Sequence, residues 1–393
     1  MRHHLTGLTL ALAALASPAA AQDVWDDPGG IETAATYETA IVGASDGSEA
    51  LLYTARGAFE MNYVLQNGAE VGFRASGGLD KDNPGRAGFS GIVGPAQPLT
   101  GPAGAFTGLA RGPGFEDAGP RGRIETGYIY IEGGYGELRA GLDEGAATRF
   151  FEGAPTLFRY ASLANPALDP SGLALVRTDH DLTGPSLKVS YATPRILGVR
   201  AGVSLTPEAN APGLDRDPSR LVGGQSGPHI EDALELALNV SRRLPRSGVR
   251  IRAGAAWSQA DASQAALPGI YDTVETWSAG GSLEFSSFAL GASYLDSTNG
   301  FAAAGDYTAL SAALRVNLGK FDTGIEYAES DDDGLGAESD SIGLSLGRNL
   351  NENIRVVGGW QRLDTRYRGN PVPLAPETRE TSDGIVIEIT LSG

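Results

Sequence analysis

The chain has 393 residues, 55 of them Gly and 22 Pro, and a glycine share of about 14%, roughly twice the usual one, speaks against an ordinary helical bundle. With 41% apolar and 20% charged residues the composition is that of a folding chain. Thirty Lys and Arg against 48 Asp and Glu leave a net charge of −18, which repels a phosphate backbone and argues against nucleic acid as a partner. The absence of Cys excludes disulfides, thiolate metal sites and cysteine catalysis.

Residues 1–21 read as an export signal. Arg2, His3 and His4 precede an apolar stretch from Leu5 to Ala16, Pro18 breaks it, and Ala19 and Ala21 form an A-x-A cleavage site. The stretch is shorter than the roughly eighteen residues that a spanning helix needs. Residues 22–393 are then one domain, and no later apolar run approaches that length. Two routes remain: a soluble exported protein, or a membrane protein made of strands.

From Leu51 to Val64 the residues alternate, with Leu51, Tyr53, Phe59, Met61 and Tyr63 on one face and Thr54, Arg56, Glu60 and Asn62 on the other. This period of two predicts a strand. Gln66, Asn67 and Gly68 turn the chain, and Val71, Phe73 and Ala75 resume the pattern opposite Glu70, Arg74 and Ser76. The same reading predicts strands at 34–42, 51–65, 69–79, 123–132, 137–142, 184–193, 198–206, 232–243, 248–258, 273–284, 287–296, 306–317, 320–328, 339–347, 353–364 and 382–391, sixteen in all.

Short links, such as Gln66 to Gly68, Gly133 to Gly136 and Pro194 to Leu197, alternate with long ones, the longest at 80–122 and 143–183. Outer-membrane barrels have this asymmetry, with short periplasmic turns and long outer loops. Face chemistry agrees: Val249, Ile251, Ala253, Ala255 and Trp257 oppose Arg250, Arg252, Gly254 and Ser258, and Leu234, Leu236, Leu238 and Val240 oppose Glu235 and Asn239. Tyr191, Trp257, Phe285, Tyr294, Tyr307, Tyr327 and Trp360 stand toward strand ends, where interfacial girdles form. The predicted fold is all-β, a 16-stranded antiparallel transmembrane barrel in an outer membrane, in contact with lipid and lipopolysaccharide. A secreted all-β binding protein is the alternative.

The stretch Arg123 to Leu142, RIETGYIYIEGGYGELRAGL, resembles the strand, Gly-aromatic-Gly turn and strand that lead into the third loop of Gram-negative general diffusion porins, the alphaproteobacterial type above all. Pro185 to Pro207 is similar to the hairpin after that loop in the same family. The resemblance implies a trimeric barrel for passive diffusion of ions and small hydrophilic solutes, narrowed by an inward third loop. It also implies that the second outer loop, in the region 80–122, reaches a neighbouring subunit. Family members usually end in an aromatic residue, whereas Ile385, Ile387, Ile389 and Leu391 are followed here by Ser392 and Gly393.

A sixteen-stranded barrel has a lumen too wide for side chains to fill, so selectivity requires a constriction. The segment 143–183 is the candidate, with Asp143, Glu144, Glu152 and Asp169 as its acids. Arg56, Arg74, Arg139 and Lys188 are candidate pore-lining bases on the wall, together with Arg123, although Ile129 and Ile131 leave the phase of that strand open. Facing charges would set a transverse field and select ions; the acidic excess predicts a weak cation preference. A substrate-selective channel on the same barrel is the competing reading. Asp331, Asp332 and Asp333 offer oxygen ligands for a loose Ca2+, with a solvated loop tip as the alternative; no other cofactor is expected.

Enzyme readings lack parts. Outside the signal only His180 and His229 occur, both in predicted loops. Gly43-Ala44-Ser45-Asp46-Gly47 matches G-x-S-x-G, but that nucleophile needs a strand before it and a helix after it, and here two strands are joined.

Overall fold

The computed structural model describes residues 31–46, 51–83, 102–109, 120–209, 228–265, 267–303, 305–368, 370–371, 374–375 and 377–393. The export signal read at 1–21 lies outside them. Sixteen strands close into one antiparallel barrel. They are β1 (Ile31–Ala44), β2 (Leu52–Val64), β3 (Glu70–Lys81), β4 (Arg121–Gly133), β5 (Gly136–Asp143), β6 (Ser186–Ala192), β7 (Val199–Ala209) and β8 (His229–Arg243). The second half contains β9 (Arg250–Ser263), β10 (Thr273–Glu284), β11 (Phe288–Ser297), β12 (Tyr307–Asn317), β13 (Asp322–Asp332), β14 (Ala337–Asn349), β15 (Ile354–Tyr367) and β16 (Thr378–Ser392). One helical turn, α1 (Ala146–Arg149), follows β5. Closure comes from β1 against β16, with Ile41 opposite Ile389, and Gly393 and Tyr37 exchange backbone hydrogen bonds.

Every predicted strand is present, and several run further than predicted at their outer ends: β9 to Ser263, β13 to Asp332, β15 to Tyr367, and β16 from Thr378. The added residues include Asp261, Ser263, Ser330, Asp331, Thr365 and Thr381. Backbone pairing continues there above the hydrocarbon, where no apolar face is required, so the hydrophobic alternation stops before the ladder does.

Alternation sorts the two faces. Ile129, Ile131, Leu187, Leu236, Leu238, Leu344 and Ile387 are exposed on the outside, whereas Ser, Gly, Ala and a few Glu face inward. Trp257 and Trp277 both donate their indole N–H to Glu275, at 2.8 and 3.2 Å, and Trp360 donates to Asp383 at 2.7 Å. Apolar rings with a polar outer edge suit a membrane interface. Tyr307 departs from the expected girdle: it is fully buried on the inner face, where its hydroxyl accepts from Arg177 N and donates to Leu175 O. Among the described residues no helix is long and apolar enough to cross a membrane.

The short turns are tight. Between β6 and β7, Leu197 (φ 54°) and Gly198 (φ 93°) occupy left-handed backbone, the pattern of a two-residue hairpin turn that favours glycine.

Candidate functional site

The connection between β5 and β6 is folded against the inside of the barrel, and wall carboxylates hold it there by its backbone. Glu388 on β16 accepts three consecutive amides, from Arg159, Tyr160 and Ala161, at 2.9, 2.8 and 2.9 Å. Glu326 on β13 accepts from Leu157 and Leu163 at 3.3 and 3.4 Å. Glu235 on β8 accepts from Ala147 N at 3.0 Å and from the Thr183 hydroxyl at 2.8 Å, which clamps both ends of the loop. These carboxylates are buried, and each amide satisfies a charge that would otherwise be costly away from water.

Glycine makes room for this contact. On the inner faces of β7, β9, β10, β11, β13, β14 and β15 stand Gly202, Gly254, Gly280, Gly291, Gly324, Gly343 and Gly359. A Cβ at Gly254 would lie 2.4 Å from Phe150 O, and one at Gly280 would lie 2.2 Å from Glu152 O. At Gly291 it would meet Pro155 at 2.9 Å, and at Gly359 the Phe158 ring at 3.0 Å. Gly254 and Gly280 are directly paired. Part of the glycine excess is thus a belt on which the outgoing leg of the loop, 150–158, lies directly against the wall.

The returning leg is bound through side chains. His180 is fully buried, with Ser278 Oγ at 2.8 Å from Nδ1 and Ser258 Oγ at 2.7 Å from Nε2. Burial pushes its pKa down to about 3, so the ring is neutral: one nitrogen donates and the other accepts.

The predicted charges separate into two groups. Arg56, Arg74 and Arg123 stand on the inner faces of β2, β3 and β4, with side chains 33%, 44% and 39% exposed. A β-bulge settles the phase of β4: the register shifts at Ser76/Gly77, Ile124 pairs with Gly77 and Thr126 with Ser76. Glu125 is the extra residue, and Arg123 therefore shares the inner face with Tyr128 and Tyr130. Arg56 and Arg123 both pair with Glu125, at 3.1 and 3.4 Å, and Arg74 pairs with Glu60 at 3.5 Å. From the loop, Arg159 pairs with Glu38 at 2.8 Å, and Tyr160 donates to the same carboxylate. The Arg56 guanidinium lies 5.7 Å from the Tyr160 ring centre.

Arg139 is more enclosed. It pairs with Glu137 and with Asp143, the latter at 3.3 Å, and lies 4.6 Å from the Tyr128 ring centre. Glu137 also holds Arg149 at 2.9 Å and Arg200 at 2.8 Å. Lys188 and Asp169 are buried and occupied within the loop itself: Lys188 Nζ donates to Thr183 Oγ1 and Gly184 O, both at 2.8 Å, and Asp169 accepts from Ser171 N and Ala174 N at 3.0 and 2.9 Å. Glu152 accepts from Asn239 at 3.0 Å. Glu144 is exposed to the lumen yet enclosed by the barrel, and that enclosure, with Asp181 and Asp143 nearby, raises its pKa to about 7.

The fold and lumen can now be set beside known proteins. The family model described as Gram-negative porin matches residues 8–368. The chain belongs to the Gram-negative porin family. This porin is structurally similar to an anion-selective porin from Comamonas acidovorans (13% identity, 93% of this chain and 100% of that one, TM-score 0.56). It is also similar to Salmonella typhi OmpF in complex with daunomycin (11%, 94% and 99%, 0.59) and to the trimer form of Vibrio cholerae OmpT (12%, 93% and 100%, 0.53). No curated protein sequence matches it. The porin is a multi-pass β-barrel of the outer membrane and a diffusion channel.

The acidic run at the end of β13 has a partner already. Arg368 reaches Asp331, Asp333 and Glu338 at 2.5, 2.6 and 3.0 Å, while Asp332 is buried and accepts from Leu335 N at 2.8 Å. The Arg368 guanidinium thus takes two of the carboxylates weighed as ligands for a loose Ca2+, and no metal-binding group of side chains occurs among the described residues. In the G-x-S-x-G match, Ser45 Oγ accepts from Ile385 N at 2.9 Å and Asp46 accepts from Asp383 N at 2.9 Å, which ties the first outer loop to β16.

Sequence reasoning missed the anchors Glu235, Glu326 and Glu388 and the hub Glu137. The available signal was an isolated Glu at an inward position amid small residues, as in Ala233-Leu-Glu235-Leu-Ala237 and Ile385-Val-Ile-Glu388-Ile. The reading placed acids on the loop and bases on the wall, whereas the docking uses wall acids and loop amides.

Proposed function

We propose that this porin carries ions and small hydrophilic solutes by passive diffusion through a lumen narrowed by the 144–185 loop, with weak cation preference. Arg56, Arg74, Arg123 and Arg139 line one side of the path, Glu144 stands at the edge of that side next to Asp143, and Glu152 stands across from it against β8 and β10. The observation that carries this reading is the docked loop: Glu235, Glu326 and Glu388 bind its backbone along the inner wall from β8 to β16. Its exposed charges are thereby left toward the wall of β2 to β5. Charges fixed around a narrow aqueous path select ions by sign, and the acidic excess of the chain favours cations.

The mature chain, cleaved after Ala21, works as a homotrimer, as the solved OmpT does in its trimer form, and the apolar outer wall contacts outer-membrane lipid and lipopolysaccharide. The test is a planar bilayer recording of the detergent-folded protein under a salt gradient. Ohmic steps in groups of three with a reversal potential of cation-selective sign are expected. An anion-selective reversal potential overturns the preference, and block of ion flow by one solute class at low concentration overturns the general-diffusion reading.

A further inference from the structure

Within the long connection between β3 and β4 the run Pro102-Ala-Gly-Ala-Phe-Thr-Gly-Leu109 carries no charge. Residues 103–109 are buried, and they are buried far from the strands they connect. Gly104 N donates to Leu109 O at 3.0 Å and Gly108 N to Gly104 O at 2.8 Å, so the run closes on itself as a compact turn.

Asn299, in the loop after β11, grips that turn. Its Oδ1 accepts from Phe106 N at 3.1 Å and Thr107 N at 3.0 Å, and its backbone carbonyl accepts from Ala105 N at 2.8 Å. The fit is close: a Cβ on Gly104 would lie 2.3 Å from the Asn299 amide. Asn299 and Gly300 both adopt left-handed backbone, φ 53° and 73°, which aims the carboxamide at the turn. Tyr271 donates to Ala103 O at 2.5 Å, and Thr107 Oγ1 lies 3.4 Å from Asp332 Oδ2. The Phe106 ring meets His180 edge-on at 6.2 Å and Tyr307 at 6.3 Å, and Leu109 packs with Leu175, Leu335 and Tyr367.

These partners come from β12, from the ends of β13 and β15, from the outer loops after β9, β11 and β13, and from the returning leg of the β5–β6 loop. In a sixteen-stranded ring, that is the side across from β3 and β4.

We infer that segment 102–109 is an intramolecular brace. It seats inside its own barrel on the returning leg of the constriction loop, fixes that leg, and fills the outer lumen beside β10–β15, so that two connections set the size limit of the pore. This differs from the latch onto a neighbouring subunit that the family resemblance implies for the region, and the size-limit part rests on the diffusion reading above.

The chain has no Cys, so an introduced pair reports cleanly. In the full-length trimeric protein, Thr107→Cys/Asp332→Cys should oxidise within one chain. Thiol labelling is lost while the heat-denatured protein runs as a single chain without reductant. Covalent dimers or trimers, or two thiols that stay alkylatable, overturn the brace. Separately, Phe106→Ala/Asn299→Ala, checked for the slower migration of its heat-denatured form, should raise single-channel conductance by about half or more and pass larger neutral solutes. Unchanged conductance and cut-off in that folded variant overturn the size-limit role. If the unmodified protein gives no steps at all, the diffusion reading fails instead, and the disulfide result still stands.

Discussion

The two sides of the lumen differ in kind. From β7 to β15 the inner wall is glycine, serine and alanine with isolated buried glutamates, and loop backbone lies directly on it. From β2 to β4 the wall is a ladder of arginines and carboxylates open to water, which the loop meets through the side chain of Tyr160, its ring 5.7 Å from the Arg56 guanidinium. The first side is organised like a protein core: amides meet carboxylates and every missing Cβ is filled by a neighbour. The second is organised like a surface, where charges pair at 3.1 to 3.6 Å with side chains a third or more exposed for the arginines. A substitution on the packed side should therefore move the loop, and one on the watered side should change only what the loop faces.

Glu388→Ala is expected to have the largest effect. It leaves the amides of Arg159, Tyr160 and Ala161 without their acceptor, at a cost of about 3 kcal/mol or more. Thermal unfolding in detergent should fall by several degrees, and bilayer recordings should become noisy at higher conductance. A quiet channel of unchanged conductance would remove Glu388 from its role as an anchor. Gly280→Val should come next. The added carbons collide with Glu152 O, the strain of overpacking is about 1–3 kcal/mol, and the loop is driven toward the arginine wall, so that conductance drops.

Acid should loosen the packed side through His180. Its folded pKa is near 3 and its unfolded value about 6.5. The neutral ring therefore contributes stability that is complete above about pH 6.5 and is lost as pH falls toward 3. Melting curves across this range should flatten in His180→Gln, relative to the parent. On the watered side the smallest effects are expected. Acidification from about pH 8 to about pH 5.5 neutralises Glu144, whose pKa is about 7, and weakens cation preference; Glu144→Gln should show the weaker preference at both pH values. Arg56→Gln should strengthen the preference while stability stays within about 0.5 kcal/mol.

The barrel was legible because a lipid-facing residue must be apolar wherever it falls, which leaves a period of two that any reader can follow. Tyr307 shows the limit of that rule: an aromatic residue near a strand end satisfies it on either face, and only the pairing register places it inside. The inward placement of Arg56 and Arg74 was legible because each falls, with Glu60 and Glu70, on the polar face of a strand whose other face is apolar. The candidate site was not legible at Asp169, because a loop 42 residues long, 144–185, can spend a charge on its own turns, nor at Lys188, a β6 residue whose ammonium turns back to Thr183 and Gly184 at the end of that loop; spacing in the sequence says neither. The belt was hidden for another reason. Gly202, Gly254, Gly280 and Gly359 lie far apart in sequence and become neighbours only once the register of nine strands is known.

Because Glu388 and Glu326 recognise the outgoing leg by its main chain, these contacts place no demand on the side chains whose amides they bind. Any residue but proline offers the same amide to Glu388 or Glu326. The position of the constriction and the chemistry it presents are therefore separately inherited: mutation at 144, 152 or 159 can retune the channel toward another solute without unseating the loop. One scaffold can in this way supply a series of channels of equal bore and different charge.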